Sequence, residues 1–186
     1  MVVAEIGINA SGSMETAKQL IDMAKLCGCD AVKFQKRTVE KVYTKEFLDS
    51  PRQSPWGTTQ REQKMALEFN KEQYDEIDRY CKEKGIDWYA SAWDTDSQIF
   101  LESFNLPYNK IASPMALNQD LVMMISEMQK PTFISTGKVN KDQLDAIVML
   151  FKAHRTSFTL LHCVNKYPCL DTDCNLKLIK ELKERY

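Results

Sequence analysis

The chain has only two histidines, His154 and His162, in 186 residues. Common zinc sites use three or more protein ligands, so these two cannot build one alone, and no nucleophile–His–Asp triad can be composed around them. Both read best as hydrogen-bonded packing residues. Glycine is also sparse, at six. None falls in a GxGxxG or GxxxxGK[ST] run, which excludes the usual glycine-rich phosphate loops. No apolar run is long enough to span a bilayer. A net charge of −1 gives no electrostatic footprint for nucleic acid or an anionic membrane. The opening "MVVAEIGIN" lacks a basic segment followed by a long apolar core, so no secretory leader is expected and a cytoplasmic location is. Six cysteines are present: Cys27, Cys29, Cys81, Cys163, Cys169 and Cys174. Their spacings match no common zinc pattern, and free thiols in a reducing compartment are the simpler reading than zinc held by Cys163, Cys169 and Cys174.

What is present is an alternation of elements. Hydrophobic residues make up 44% and charged residues 27%, which suits one soluble domain with a sizeable core. Strands are expected at 2–9, 30–37, 86–93, 109–113, 131–136 and 158–164. The first helix carries Ala17, Leu20, Ile21 and Ala24 at helical spacing and stops at Gly28. Another opens with Asn70-x-x-Gln73 and stops at Gly85. Further helices follow over about 96–104 and 118–128. One starts at Asn140-x-x-Gln143 and turns Leu144, Ile147, Val148 and Phe151 inward. The last spans about 173–185. Strands that are apolar throughout belong to a parallel sheet covered by helices. Polar residues gather at the ends of many strands rather than at one switch point. That favours a parallel (β/α)8 TIM-barrel type over an open doubly wound sheet, with about six β/α units over residues 1–186. The long connection 38–69 contains "DSPRQSPWGTTQRE" and reads as a partly ordered lid, with Trp56, Met65, Leu67 and Phe69 available for packing.

The chemistry sits at the strand ends. Lys33 and Gln35 close the second strand, Lys110 and Ser113 the fourth, Ser135 the fifth, and Asn165 and Tyr167 the sixth. An inward lysine in a barrel is rare unless paired or functional. Two of them among hydroxyls suggest a cradle for an anionic, phosphorylated substrate, with Schiff-base chemistry as the competing use. Lys138 reads as solvated. Glu5, inside an apolar strand, is either an acid/base group or the partner of a neighbouring lysine.

Taken together, "AEIGIN…GSMETAKQLIDMAK", "DAVKFQKRT", "SPWGTTQRE", "IDWYASAWD", "NKIAS", "PTFISTG" and "LLHCVNKYP" resemble the N-acetylneuraminate (sialic acid) synthase family, with its legionaminic and pseudaminic acid synthases. The resemblance runs along essentially the whole chain. It implies condensation of phosphoenolpyruvate with an N-acetylated hexose such as N-acetylmannosamine, giving a nonulosonic acid and phosphate. It also implies a divalent metal, Mn2+ or Mg2+, and a homodimer in the complete protein. Lys33, Lys110, Ser113, Ser135, Asn165 and Tyr167 would then hold phosphoenolpyruvate. Gln35 and Ser91 would line the same pocket, and Glu5 would face the sugar or move a proton. Family members place a histidine where Ala10 stands, and some a catalytic carboxylate where Met115 stands. Their metal-binding histidines would lie beyond Tyr186, as would a C-terminal antifreeze-like domain. A non-catalytic phosphoenolpyruvate- or anion-binding relative, or an inactive fragment, is the alternative.

Overall fold

A computed structural model describes residues 1–186, which form two compact units, 1–107 and 108–186. In the first unit, β1 (Val3–Gly7), β2 (Ala31–Lys36) and β5 (Asp87–Ala92) are parallel, in the order β1-β2-β5. Register places Glu5 opposite Lys33, Lys33 opposite Tyr89, and Gln35 opposite Ser91. Helix α1 (Met14–Leu26) begins at Ser13, whose hydroxyl accepts from the Thr16 amide, and buries Ala17, Ile21 and Ala24. Helix α5 (Lys71–Lys84) has the expected Asn70/Gln73 capping box and ends at Gly85 in the left-handed region, φ 62°, where a Cβ would be strained. Its Tyr74, Ile77 and Cys81 are buried. Tyr74 sits at the centre of an aromatic cluster with Phe34, Phe69, Trp88, Phe100 and Phe104. Helix α6 (Thr95–Glu102) starts one residue earlier than its pattern suggests, because Asp94 caps it.

The segment 38–69, expected as a partly ordered lid, carries regular secondary structure along most of its length. It holds α2 (Val39–Val42), α3 (Lys45–Leu48), the antiparallel hairpin β3 (Pro51–Ser54) and β4 (Gly57–Thr59), and α4 (Gln60–Leu67). Thr59 and Glu62 form a full capping box for α4. Phe69 is buried and Trp56 and Leu67 half-buried, whereas Met65 is exposed rather than packed.

In the second unit, β6 (Asn109–Ile111), β7 (Thr132–Ser135) and β8 (Phe158–Leu161) are parallel neighbours in that order. A single 3-10 turn, Ser113–Met115, follows β6, and α7 (Gln119–Glu127) follows that. Helix α8 (Lys141–Ala153) buries Leu144, Ile147, Val148 and Phe151 as its spacing requires. The sixth expected strand is shorter than its apolar run. It stops at Leu161, after which side chains bond forward: His162 Nε2 lies 2.7 Å from the Cys174 carbonyl, and Lys166 donates to Asp173 at 2.6 Å. The last helix, α9 (Lys177–Arg185), starts later than expected, behind a 3-10 turn at Asp171–Asp173.

Candidate functional site

Each unit carries its own buried lysine, and each lysine is tied to a serine on the neighbouring strand. In the first unit Lys33 is 4% exposed, which strands it among apolar neighbours unless it is paired. Its ammonium meets Glu5 Oε2 at 2.9 Å, donates to Ser91 Oγ at 3.1 Å and reaches the Phe34 carbonyl at 3.5 Å. Glu5 itself is 61% exposed. The expectation of a buried carboxylate on β1 is therefore corrected. Glu5 reaches Lys33 from the solvated side, where water supplies the solvation that an apolar strand interior would deny. Gln35 lies on the same face of β2 as Lys33, opposite Ser91, and its Oε1 accepts from the Arg37 guanidinium.

In the second unit Lys110 is buried and donates to Ser135 Oγ at 2.5 Å and to the Ile111 carbonyl at 2.8 Å. Ser113 Oγ accepts from the Gly137 amide at 3.2 Å. Gly137 is fixed by space: a Cβ there would lie 2.8 Å from the Cys163 carbonyl and 3.0 Å from Ser113 Oγ. The structure thus gathers Lys110, Ser113 and Ser135 around the ends of β6 and β7. Asn165 and Tyr167 do not stand at a strand tip. They lie in the irregular segment after β8, both exposed, with Tyr167 at 93%. Lys138 is exposed, as expected.

A second network escaped the sequence. At the end of β2, Arg37 is buried with its guanidinium over the Trp93 ring at 4.7 Å. Its Nε lies 2.8 Å from Glu68 Oε1, and its Nη1 donates to Tyr43 Oη at 3.0 Å. Burial pushes the Glu68 carboxyl up, against the opposing pull of Arg37 and Lys36. Burial likewise pushes the Lys36 ammonium down, opposed by Glu68 and Asp94. Asp94 accepts from the Thr38 amide (2.7 Å) and hydroxyl (3.0 Å) and from the Ser97 amide (2.8 Å) and hydroxyl (2.7 Å). Burial alone would raise its carboxyl, but these donors hold it below the usual carboxylate range. The signal available in the sequence was the charged run "KFQKRT" at a strand end.

The remaining polar candidates are structural. His154 Nδ1 lies 2.8 Å from Ser126 Oγ. All six cysteines are free thiols, and no group of three or more His, Cys, Asp or Glu side chains is placed to hold a metal ion. This overturns the zinc reading of Cys163, Cys169 and Cys174. Nor do the residues of this chain by themselves form a site for the divalent metal that the resemblance implies. A cavity of about 630 Å³ lies between α8 and α9 and is lined by Val139, Leu144, Leu178 and Leu182; Lys110 does not line it. No helix is long and apolar enough to cross a membrane.

The chain and its fold are similar to known proteins. The chain is 39% identical to an N-acetylneuraminate-9-phosphate synthase of Drosophila melanogaster, over 100% of this chain and 50% of the relative. It is 35% identical to the Homo sapiens enzyme of the same name, over 100% of this chain and 52% of the relative. The chain spans about half the length of these curated relatives. The structure matches the N-acetylneuraminic acid (sialic acid) synthetase of Leptospira borgpetersenii serovar Hardjo-bovis, solved in complex with citrate. That match has a TM-score of 0.88 and 26% identity and covers 100% of this chain and 61% of the other. The barrel-type α/β fold expected from the sequence is thus the fold of a synthetase domain. The NeuB family model matches residues 20–186, and the chain belongs to the NeuB family.

Proposed function

We propose that the protein condenses phosphoenolpyruvate with an N-acetylated hexose, forming a nonulosonic acid and releasing phosphate. The observation that carries this reading is the pair of buried, serine-tethered lysines. Lys33 donates to Ser91 and Lys110 to Ser135, and both are 4% exposed. A buried ammonium that keeps a hydroxyl beside it offers an anion two donors without further desolvation. Phosphoenolpyruvate carries a carboxylate and a phosphate, and each lysine–serine pair, Lys33 with Ser91 and Lys110 with Ser135, is suited to an anionic group of this kind. Ser91, Ser113 and Ser135 orient such groups, and Gln35, Asn165 and Tyr167 complete the contacts. Glu5 holds Lys33 until substrate arrives and then faces the sugar or moves a proton; its exposure leaves it free to swing away. The names of the Drosophila and human relatives further suggest an acceptor hexose that carries its own phosphate. Homodimerisation, a cytoplasmic location and a divalent metal bound outside these residues belong to the same reading.

The test is phosphate release from phosphoenolpyruvate with N-acetylmannosamine or its 6-phosphate. Lys33→Ala and Lys110→Ala should each lower kcat/KM. Losing one charged hydrogen bond, about 1.5–3 kcal/mol, corresponds to roughly tenfold to a hundredfold. No phosphate release by the wild-type protein with any N-acetylhexosamine would overturn the reading.

A further inference from the structure

The first unit gathers positive charge that neither lysine–serine pair uses. The Tyr43 ring is the meeting point: Arg37 Nη1 donates to its hydroxyl at 3.0 Å, and the Lys64 ammonium lies 5.7 Å from its ring centroid. Lys64 comes from α4, and Arg52 from the hairpin strand β3 that packs on α4. Burial, then the positive charges of Arg52 and Arg37, push the Lys64 ammonium below its ordinary value.

The nearby carboxylates do not neutralise this charge. Glu68 is a single carboxylate shared by Arg37 and Lys36, at 2.8 and 3.8 Å. Asp94 is filled by Thr38 and Ser97. Glu40 and Asp49 pair with Arg61. The hydrogen bond of Lys64 goes to neutral Gln63 at 3.3 Å.

A separate observation points to the same place. The Trp93 indole, whose ring the Arg37 guanidinium covers, has a buried Nε1–H with no acceptor. An unpaired buried donor is costly, and so are like charges held together in a half-buried setting. A compact dianion with several acceptor oxygens relieves both.

We propose that Arg37, Arg52, Lys64 and the Trp93 indole N–H form a binding site for a phosphomonoester. Arg37 supplies a fixed planar donor set, Lys64 and Arg52 supply mobile charge, and Trp93 supplies the neutral donor. Arg37 also bonds Gln35. On the synthase reading, on which this one point rests, the phosphomonoester is therefore the phosphate carried by the acceptor hexose. The site itself stands without that reading.

The experiment follows the Trp93 indole N–H resonance of the 186-residue chain, assigned with Trp93→Phe, during titration with N-acetylmannosamine 6-phosphate. The phosphorylated sugar should shift the resonance, and N-acetylmannosamine should not. Lys64→Gln and Arg52→Gln should each weaken binding by about tenfold, the usual scale for one charged hydrogen bond. Arg61→Gln, which removes a guanidinium already paired with Glu40 and Asp49, should leave binding unchanged. No shift, or equal affinity in wild type and Lys64→Gln, overturns the site. Inorganic phosphate binding as tightly as the sugar phosphate overturns the acceptor assignment and keeps the site. Lys33→Ala should leave this titration unaltered, so failure of the phosphoenolpyruvate reading is seen separately.

Discussion

Asp94 is the residue whose loss should be felt most widely in the first unit. It is buried and caps α6, and it also binds the start of segment 38–69 through Thr38. Removing an N-cap costs about 1 kcal/mol. Its bonds to the Thr38 amide and the two hydroxyls are charge-assisted, and breaking such a set leaves buried donors unpaired, adding about 2 kcal/mol after allowing for non-additivity. Asp94→Ala should therefore destabilise the first unit by about 3 kcal/mol. All three tryptophans, Trp56, Trp88 and Trp93, lie in that unit, so urea unfolding followed by tryptophan fluorescence reports on it alone. The pH dependence carries a sign. The Asp94 carboxyl is held below its usual range in the folded state, so its contribution is complete above the unfolded value of about 3.9 and is lost as pH falls through the folded one. The stability gap between wild type and Asp94→Asn should thus narrow from pH 6 towards about pH 2. A loss below about 0.5 kcal/mol in Asp94→Ala, the level of an ordinary surface change, would refute the reasoning, and so would a gap that stays constant with pH.

Two further outcomes follow from local geometry. Gly137→Ala should destabilise the second unit and weaken phosphoenolpyruvate binding, because its methyl would press on the Cys163 carbonyl and Ser113 Oγ; thermal unfolding and calorimetry check this, and a wild-type midpoint would contradict it. Cys169 and Cys174 hold their sulfurs 3.6 Å apart on an exposed segment, within a small shift of disulfide length. Oxidised glutathione should convert them to a disulfide and release two reduced glutathione molecules, which mass spectrometry would read as a Cys169–Cys174 cross-linked peptide. Cys81 should stay unmodified, because burial and then the Asp78 charge push its thiol up to about 12.

Much of the fold was legible because local rules and tertiary packing agree there. The apolar runs at Ala31–Lys36 and Asp87–Ala92 are strands, and the capping boxes at Asn70 and Asn140 open helices where they should. Segment 38–69 failed because its pieces are too short for periodicity to register: two four-residue helices and a hairpin. The Thr59-x-x-Glu62 box was in plain view and unused. Lys33 and Lys110 were recoverable as lysines in apolar strands, and the structure buries both. The exposure of Glu5, the end of β8 at Leu161 and the Arg37–Glu68 pair were not recoverable. Each depends on contacts between residues far apart in the chain, and no single segment records them.

The most direct measurement is calorimetric titration of phosphoenolpyruvate into wild type, Lys33→Ala and Lys110→Ala. If the serine-tethered lysines hold its anionic groups, wild type binds and each variant is weaker by about tenfold or more. Equal affinity in all three, or no binding by wild type, would contradict the assignment of these lysines to the substrate.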